Sequence, residues 1–208
     1  MTQEELALLK SLKPGEHYPH SLYIFENDDI SSLPEGVIFD GDVDIKFNST
    51  LRQIRNIKVC GDFCIHCCNG IAVISEIEAS SINIVSCNAK TIQSLRSKGE
   101  ICIASCRSVS DLKKCSCRKS LNLCFLDNLE SVAELEVGEL HLIMADKISS
   151  LSGIKAEKLI AFECSNLATI KDCDILGELR IEHCSNFQSI SETSASSITI
   201  ENCPKYTP

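Results

Sequence analysis

The sequence predicts an α/β solenoid of about ten repeats, each 19 to 21 residues long. The first observation is a pair of apolar residues, two positions apart, that recurs at this spacing from residue 22 to the C-terminus. The second is an Asn or Cys that follows many of these pairs after three residues. The third is an apolar stripe in residues 2–12, typical of a helix that caps one end of such a stack.

Each apolar pair predicts a short strand with one buried face, because side chains at positions i and i+2 of a strand lie on the same side. The ten pairs are Leu22/Ile24, Val43/Ile45, Phe63/Ile65, Ile82/Ile84, Ile101/Ile103, Leu121/Leu123, Leu140/Leu142, Leu159/Ala161, Leu179/Ile181 and Ile198/Ile200. A single repeat cannot bury its apolar face alone, so we expect the repeats to stack.

The residue three positions after each pair is predicted to turn inward and to form a ladder inside the stack. An Asn or Cys there can hydrogen-bond backbone groups that the turn leaves unpaired. The ladder positions are Asn27, Asn48, Cys68, Cys87, Cys106, Leu126, Ala145, Cys164, Cys184 and Cys203. Six of the 14 cysteines occupy this ladder, so we expect buried, reduced thiols rather than disulfides. In the fourth repeat the later apolar residues, Ile92 and Leu95, come two positions late, which predicts a local bulge.

The segment from Leu22 to Pro34, LYIFENDDISSLP, shows the complete pattern. This pattern, L-x-L-x-x-N/C-x-x-L-x-x-L, resembles the leucine-rich repeat over residues 20–206. The resemblance implies a superhelix with a parallel β-sheet on its concave face. The short period and the ending Leu33-Pro34-Glu35-Gly36 look like the short-repeat bacterial class, which includes type III secretion effectors that act inside host cells. The replacement of most ladder asparagines by cysteine departs from the family pattern.

A parallel β-helix is the competing architecture. It would place about three strands in each coil. The polar connectors after each apolar step are short and irregular, which favours the leucine-rich-repeat interpretation.

Residues 1–19 are predicted to form an N-terminal helical cap, and residues 20–208 the leucine-rich-repeat solenoid. Thr2 and Glu5 have the spacing of a capping box. The apolar stripe of the helix consists of Leu6, Leu8, Leu9 and Leu12. The C-terminus has no equivalent, so a homodimer formed through the uncapped C-terminal edge is a further prediction.

Composition limits the partners of the chain. The net charge of −9 disfavours nucleic acid, which requires a basic surface. No segment approaches the roughly 20 apolar residues of a membrane span, and the acidic N-terminus lacks the features of a signal peptide. The sequence therefore predicts a cytoplasmic protein without a membrane partner. The resemblance adds a second expectation, secretion into a host cell by a type III-like route.

The strand face is expected to carry the function, because solenoids bind partners on the face made by their parallel strands. Apolar residues concentrate on this face in repeats six to eight, and apolar surface patches mark interaction sites. The predicted protein-binding residues are Phe125, His141, Ile143, Met144, Ile160, Phe162 and Arg180. The alternative is that some of them point inward or are covered by a terminal segment.

Chemistry at the cysteines is a weaker interpretation. The densest set of potential metal ligands is Cys60, Cys64, His66 and Cys67, but structural zinc needs a second pair at matching spacing. Cys64 with His66, or Cys124 with His141, has the residue types of a nucleophilic pair, yet no oxyanion hole or orienting carboxylate is recognisable. Phosphate-binding glycine motifs are absent from the sequence. We therefore expect no cofactor, no metal and no catalysis.

These observations predict a non-catalytic module that binds another protein through its strand face. The resemblance further suggests a bacterial effector acting on a host protein. The alternative is the substrate-recognition part of a longer, ubiquitin-ligase-like effector enzyme whose catalytic domain is absent.

Overall fold

A computed structural model describes residues 2–26 and 29–207 of the chain. It shows a parallel β-solenoid of about nine coils, in which each strand pairs with the equivalent strand one coil away. The repeat predicted from the sequence is therefore a structural unit.

The ten apolar pairs form one continuous column of parallel strands, which we call the front strands. They stack in register, so that Leu22 pairs with Val43 at one end and Leu179 with Ile198 at the other. The front strands lie within Leu22–Phe25, Val43–Lys46, Phe63–His66, Ile82–Val85, Ile101–Ala104, Ser116–Cys124, Glu136–Ile143, Lys155–Phe162, Glu178–Glu182 and Ser197–Glu201. The predicted strand positions and their pairing are confirmed.

The returning arms of the coils are also extended and form further parallel strands. They are His17–Tyr18, Ile38–Phe39, Gln53–Val59, Val73–Ala79, Thr91–Ser97, Asp111–Lys113, Ser131–Ala133, Ser150–Ser152, Thr169–Lys171, Asp174–Ile175 and Ser189–Ser191. A coil of about 20 residues has no room for a helical return, because its apolar residues must meet those of the next coil at strand spacing. The expected α/β character is therefore wrong for the described residues, and the architecture agrees better with the β-helix alternative.

Each coil turns at two corners where one residue has a left-handed backbone. Met144 (φ 52°) occupies a first corner, directly after its front strand, and Gly153 (φ 66°) the second corner of the same coil. Seventeen non-glycine residues in the described part of the chain have positive φ, although this conformation is costly for any residue with a Cβ atom. The bonding between coils continues through the corners. The Met144 N–H, for example, donates to the Phe162 carbonyl at 3.0 Å.

The core is a single column of apolar side chains along the inside of the coils. Its largest fully buried side chains include Tyr18, Phe39, Phe63 and Phe187. The ladder residues from Asn48 to Cys184 are buried as predicted, whereas the predicted ladder position Asn27 lies outside the described residues.

The fourth coil departs from the expectation. In the third coil, the Ile71 N–H donates to the Cys68 carbonyl at 3.3 Å and closes a tight turn after the ladder residue. In the fourth coil, buried Ala89 takes the place of Ile71 but follows Cys87 by two residues instead of three. The turn of the fourth coil is one residue shorter, and Ile92 then pairs in register with Ile74, so the bulge predicted around Ile92 is wrong.

The N-terminal helix spans Gln3–Ser11 and begins with the predicted capping box. The Glu5 N–H donates to the Thr2 hydroxyl at 3.1 Å, and the Thr2 N–H donates to the Glu5 carboxylate at 2.6 Å. Leu6 and Leu9 are buried in the core cluster, whereas Leu8 is exposed. Among the described residues, no helix has the length and apolar character that a membrane span requires.

The left-handed corners predict an unusual response to glycine. Glu134 is an exposed second-corner residue with φ 54°, and Glu136 is an exposed residue of the adjoining strand. We expect Glu134→Gly to leave the free energy of unfolding unchanged or to raise it by up to about 1 kcal/mol, because glycine removes the left-handed penalty. Glu136→Gly should lower it by about 1 kcal/mol. Urea denaturation checks both variants. A larger loss for Glu134→Gly than for Glu136→Gly would contradict the corner assignment.

Candidate protein-binding face

The outward side chains of the front strands, with the first-corner residue after each strand, make up what we call the front face. Alternation along each strand turns two residues of every coil outward, and stacking aligns them into a first column and a second column. The first column runs from Tyr23 to Thr199, and the second column from Phe25 to Glu201. The corner residues, from Glu26 to Asn202, form a third, parallel line.

The second column is apolar over five consecutive coils. Its members there are Val85, Ala104, Cys124, Ile143 and Phe162. All five are half-buried on the outside of the coil, and Ile143 and Phe162 are the two that the sequence predicted for the binding site. At the strand spacing of about 4.8 Å, this strip is about 19 Å long.

The predicted site residues widen the apolar strip. Ile160 lies in the first column, where it pairs with His141 on one side and Arg180 on the other. Phe125 and Met144 occupy neighbouring corners and are 49% and 36% exposed. The seven predicted residues therefore lie together on coils six to nine of one face.

Polar contacts fix the rim of this patch. The His141 Nε2 atom lies 2.8 Å from a Glu139 carboxylate oxygen. The Arg180 Nε atom donates to Glu182 at 2.6 Å, so this cation is already neutralised within its own strand. The ring of Phe162 packs edge-on against His183, with the ring centroids 5.5 Å apart.

A second group of aromatic side chains lies at the N-terminal end of the same face. Phe25 and Phe47 meet edge to face with centroids 5.5 Å apart, and both are at least half exposed. Tyr23 is exposed beside them. Phe47 was not among the predicted residues, which were taken from repeats six to eight. Its signal was its place directly before ladder residue Asn48, the same place that Phe125 and Met144 take before their own ladder residues.

The thiols of the front face are poor nucleophiles. Burial raises the pKa of Cys124, and burial followed by the charges of Asp44 and Asp62 raises the pKa of Cys64. A reactive cysteine requires the opposite shift. His141 is engaged by Glu139 rather than by Cys124. The arrangement therefore disfavours the thiolate in both pairs considered from the sequence.

Metal ligands do not converge in the part of the chain that the structure describes. No group of three or more His, Cys, Asp or Glu side chains is close enough there to hold an ion. Cys64 and His66 lie on the front face, and Cys67 occupies the following corner.

A groove of about 380 Å³ lies at a second corner, away from the front face. Lys58 and Glu78 line it and form an ion pair of 3.2 Å, and Arg96 follows them in register on the next coil. Alternating charges of this kind neutralise one another along the stack. The charged residues that line this groove are therefore accounted for by their pairing between coils.

No protein-family model, curated protein or solved structure matches the chain. The solenoid architecture therefore rests on the structure itself, and the leucine-rich-repeat relationship is not shown.

The buried thiols outside the ladder predict a loss of stability in alkaline solution. Burial raises the pKa of Cys115 to about 12 and that of Cys117 to about 11. Unfolded thiols ionise near pH 9, so above this pH the unfolded state binds fewer protons than the native state. The stability contributed by these thiols is complete below pH 9 and is lost as the pH rises toward 11 or 12.

We expect wild-type unfolding free energy to fall between pH 8 and pH 10.5, with Cys115 supplying about 1–2 kcal/mol of that fall. Cys115→Ala should flatten the profile by this amount, whereas Cys60→Ala, at an exposed position, should not. Urea titrations across this pH range measure the difference. Parallel profiles for wild type and Cys115→Ala would show that this thiol is not buried.

Proposed function

We propose that this chain is a non-catalytic module that binds another protein through its front face. The observation that carries the proposal is the apolar strip of five consecutive second-column residues, widened by Ile160, Phe125 and Met144. Contiguous apolar surface of this kind is uncommon outside interaction sites. Aromatic residues and Met, which the patch contains, are enriched in interface cores.

The finer family assignment is part of the proposal. The buried Asn48 supports a relationship to leucine-rich repeats, because its Oδ1 atom accepts hydrogen bonds from the Leu51 and Thr50 amides at 2.7 and 3.1 Å. The buried Leu6 and Leu9 support a capping role for the N-terminal helix. Action as a bacterial effector inside a host cell is supported only by the resemblance of the repeat.

The proposal predicts that charge placed in the patch abolishes binding without unfolding the chain. Ile160→Asp/Phe162→Asp should reduce capture of the partner at least tenfold, because aromatic anchors at interfaces are worth about 2 kcal/mol or more. Affinity capture from host-cell extract with wild type and variant, quantified by mass spectrometry, measures the effect.

Leu176→Asp is the matched control, because Leu176 is 69% exposed but lies away from the front face. Phe125→Asp is a second test at a corner, where a charge does not disturb strand packing. Thermal unfolding should remain within a few degrees of wild type for all variants. Unfolding of the Ile160/Phe162 variant would assign these residues to the core. Equal capture by wild type and both patch variants would refute the proposal.

A further inference from the structure

The second column of the front face has apolar residues at its centre and polar or charged residues on both sides of them. Counting coils by their front strands, coils two to ten contribute Lys46, His66, Val85, Ala104, Cys124, Ile143, Phe162, Glu182 and Glu201. Cys124 is the middle member. This stretch begins with Lys46 and His66 and ends with the carboxylates of Glu182 and Glu201. Phe25 of the first coil lies beyond Lys46 and has no counterpart in this count.

We compare the two residues that lie the same number of coils from Cys124, one on each side. In these pairs a small side chain matches a large one, and a cation matches an anion. One step gives Ala104 and Ile143, and two steps give Val85 and Phe162. Three steps give His66 and Glu182, and four steps give Lys46 with Glu201. Within their own strands Lys46 also pairs with Asp44 at 2.7 Å and Glu182 with Arg180 at 2.6 Å. A surface whose two halves complement each other in size and charge is suited to an isologous contact, in which the same patch is used by both subunits.

We infer that the front face binds a second copy of this chain in an antiparallel dimer. Its two-fold axis lies between the two front faces, parallel to the sixth front strand and next to the Cys124 side chain. The inference rests on the proposed function and names its partner. A two-fold axis along the strand direction turns the two front faces toward each other and reverses the order of the coils. Each coil then faces the coil that stands equally far on the other side of the sixth.

The other two lines of the front face fit the same arrangement. In the first column, Asn122 faces itself and Cys64 faces Arg180 of the second copy. At the corners, Phe125, which is 49% exposed, faces its own copy across the axis. No two like charges oppose each other in the first column, the second column or the corner line of the described residues. This one contact would bury the exposed ring of Phe125 on both copies.

Like charges do meet at the rim, in the residues that precede the front strands. Asp62 would face Glu178 of the second copy, and Glu100 would face Glu139. Glu178 is already paired with Lys158 at 2.7 Å, and Glu139 with His141 at 2.8 Å. Solvated rim charges contribute little to affinity and are screened by salt. Salt screens these repulsive pairs and the attractive Lys46–Glu201 pair alike, so the dimer should depend only weakly on salt.

The size of the face sets the strength of the contact. Nine coils at about 4.8 Å and a width of about 13 Å give about 500 Å² for each copy. The total of about 1,000 Å² is near the lower limit for a specific interface. The dimer should therefore be reversible and depend on concentration.

The first experiment measures the molar mass of wild type by light scattering over a series of concentrations. We expect it to rise from 22.9 kDa toward twice that value. Phe162→Asp should remain a monomer, whereas Ile198→Asp, at the exposed C-terminal edge, should dimerise as wild type does. A dimer that survives Phe162→Asp and is lost with Ile198→Asp would overturn the inference in favour of the C-terminal edge.

Charge exchange tests the direction of packing. Lys46→Glu and Glu201→Lys should each weaken the dimer several-fold, because each places like charges opposite each other. The double variant should restore wild-type association, since it exchanges the two charges across the interface. Failure of the double variant to recover, after both single variants weaken the dimer, would overturn the antiparallel register.

Thiol cross-linking tests the position of the axis. The two Cys102 side chains would lie about 10 Å apart along the column, within reach of a short linker, so the test uses a Cys102→Ser background. In this background a short bismaleimide should link Cys124 of one copy to Cys124 of the other, and adding Cys124→Ser should abolish the covalent dimer. Adding Cys64→Ser should not, because its two copies would lie about 29 Å apart along the column. A covalent dimer that persists in Cys102→Ser/Cys124→Ser would contradict the inference.

The outcome separates the inference from the proposed function. A wild-type chain that stays monomeric, yet captures another protein in an Ile160- and Phe162-dependent way, would overturn the inference and leave the proposed function intact. A dimer that forms without any dependence on the front face, together with capture of other proteins that the patch variants leave unchanged, would overturn both.

Discussion

Backbone hydrogen bonding between consecutive coils runs along the strands and continues through the two corners where the chain turns, whereas the turn after the ladder residue is closed within its own coil. At a corner, the N–H of one residue donates to the carbonyl one coil ahead, as His183 does to Glu201 at 3.0 Å. To keep this bonding, each coil must repeat the backbone of its neighbour almost residue for residue. The constant period and the columns on the front face follow from this requirement. The same constraint places non-glycine residues such as Lys114 (φ 57°) in left-handed conformations, where the stacked neighbours hold them.

Close approach of neighbouring coils also explains a recurring glycine before the front strands. At Gly177, a Cβ atom would lie 2.8 Å from the Glu157 carbonyl oxygen, the same atom that accepts the Gly177 N–H. A side chain there would push the coils apart. The register of the coils and the position of this glycine therefore both follow from the close spacing between neighbouring coils.

The ladder cysteines fit this spacing because a thiol is small and is a weak donor. Cys68 donates to the His66 carbonyl at 3.4 Å, an oxygen that also accepts the Phe47 N–H at 3.0 Å. Stacked thiols hydrogen-bonded to Cys87 raise its pKa and keep it protonated. Most of the unusual cysteine content therefore serves the interior, and the front face is the surface for which we propose recognition.

The sequence predicted the front strands, their pairing and the ladder, because apolar spacing and inward positions are direct consequences of stacking. It did not predict the strands of the returning arms, since an apolar residue every three positions is compatible with several backbone paths. The corners were not recognised either. Residues as different as Glu134, Met144 and Ser105 occupy them, because stacking rather than side-chain type enforces their conformation.

For the binding face, the apolar residues from Phe125 to Phe162 could be predicted from alternation alone. The continuation of the strip through Val85 and Ala104 required the register of the strands. The pairing of opposite ends of the column also became visible only with that register. A small residue such as Ala104 does not by itself indicate a binding surface. Its role becomes apparent from the residue that it would face in the dimer, Ile143.

Thiol labelling under native conditions tests the stacked register most directly. After a brief pulse of a maleimide, mass spectrometry should find Cys60 modified, because it is exposed, and Cys68, Cys87, Cys106, Cys164 and Cys184 unmodified, because all five are buried in the ladder. Denaturant should make all of them reactive. Rapid native labelling of any ladder cysteine between Cys68 and Cys184 would place that coil out of register and contradict the solenoid described above.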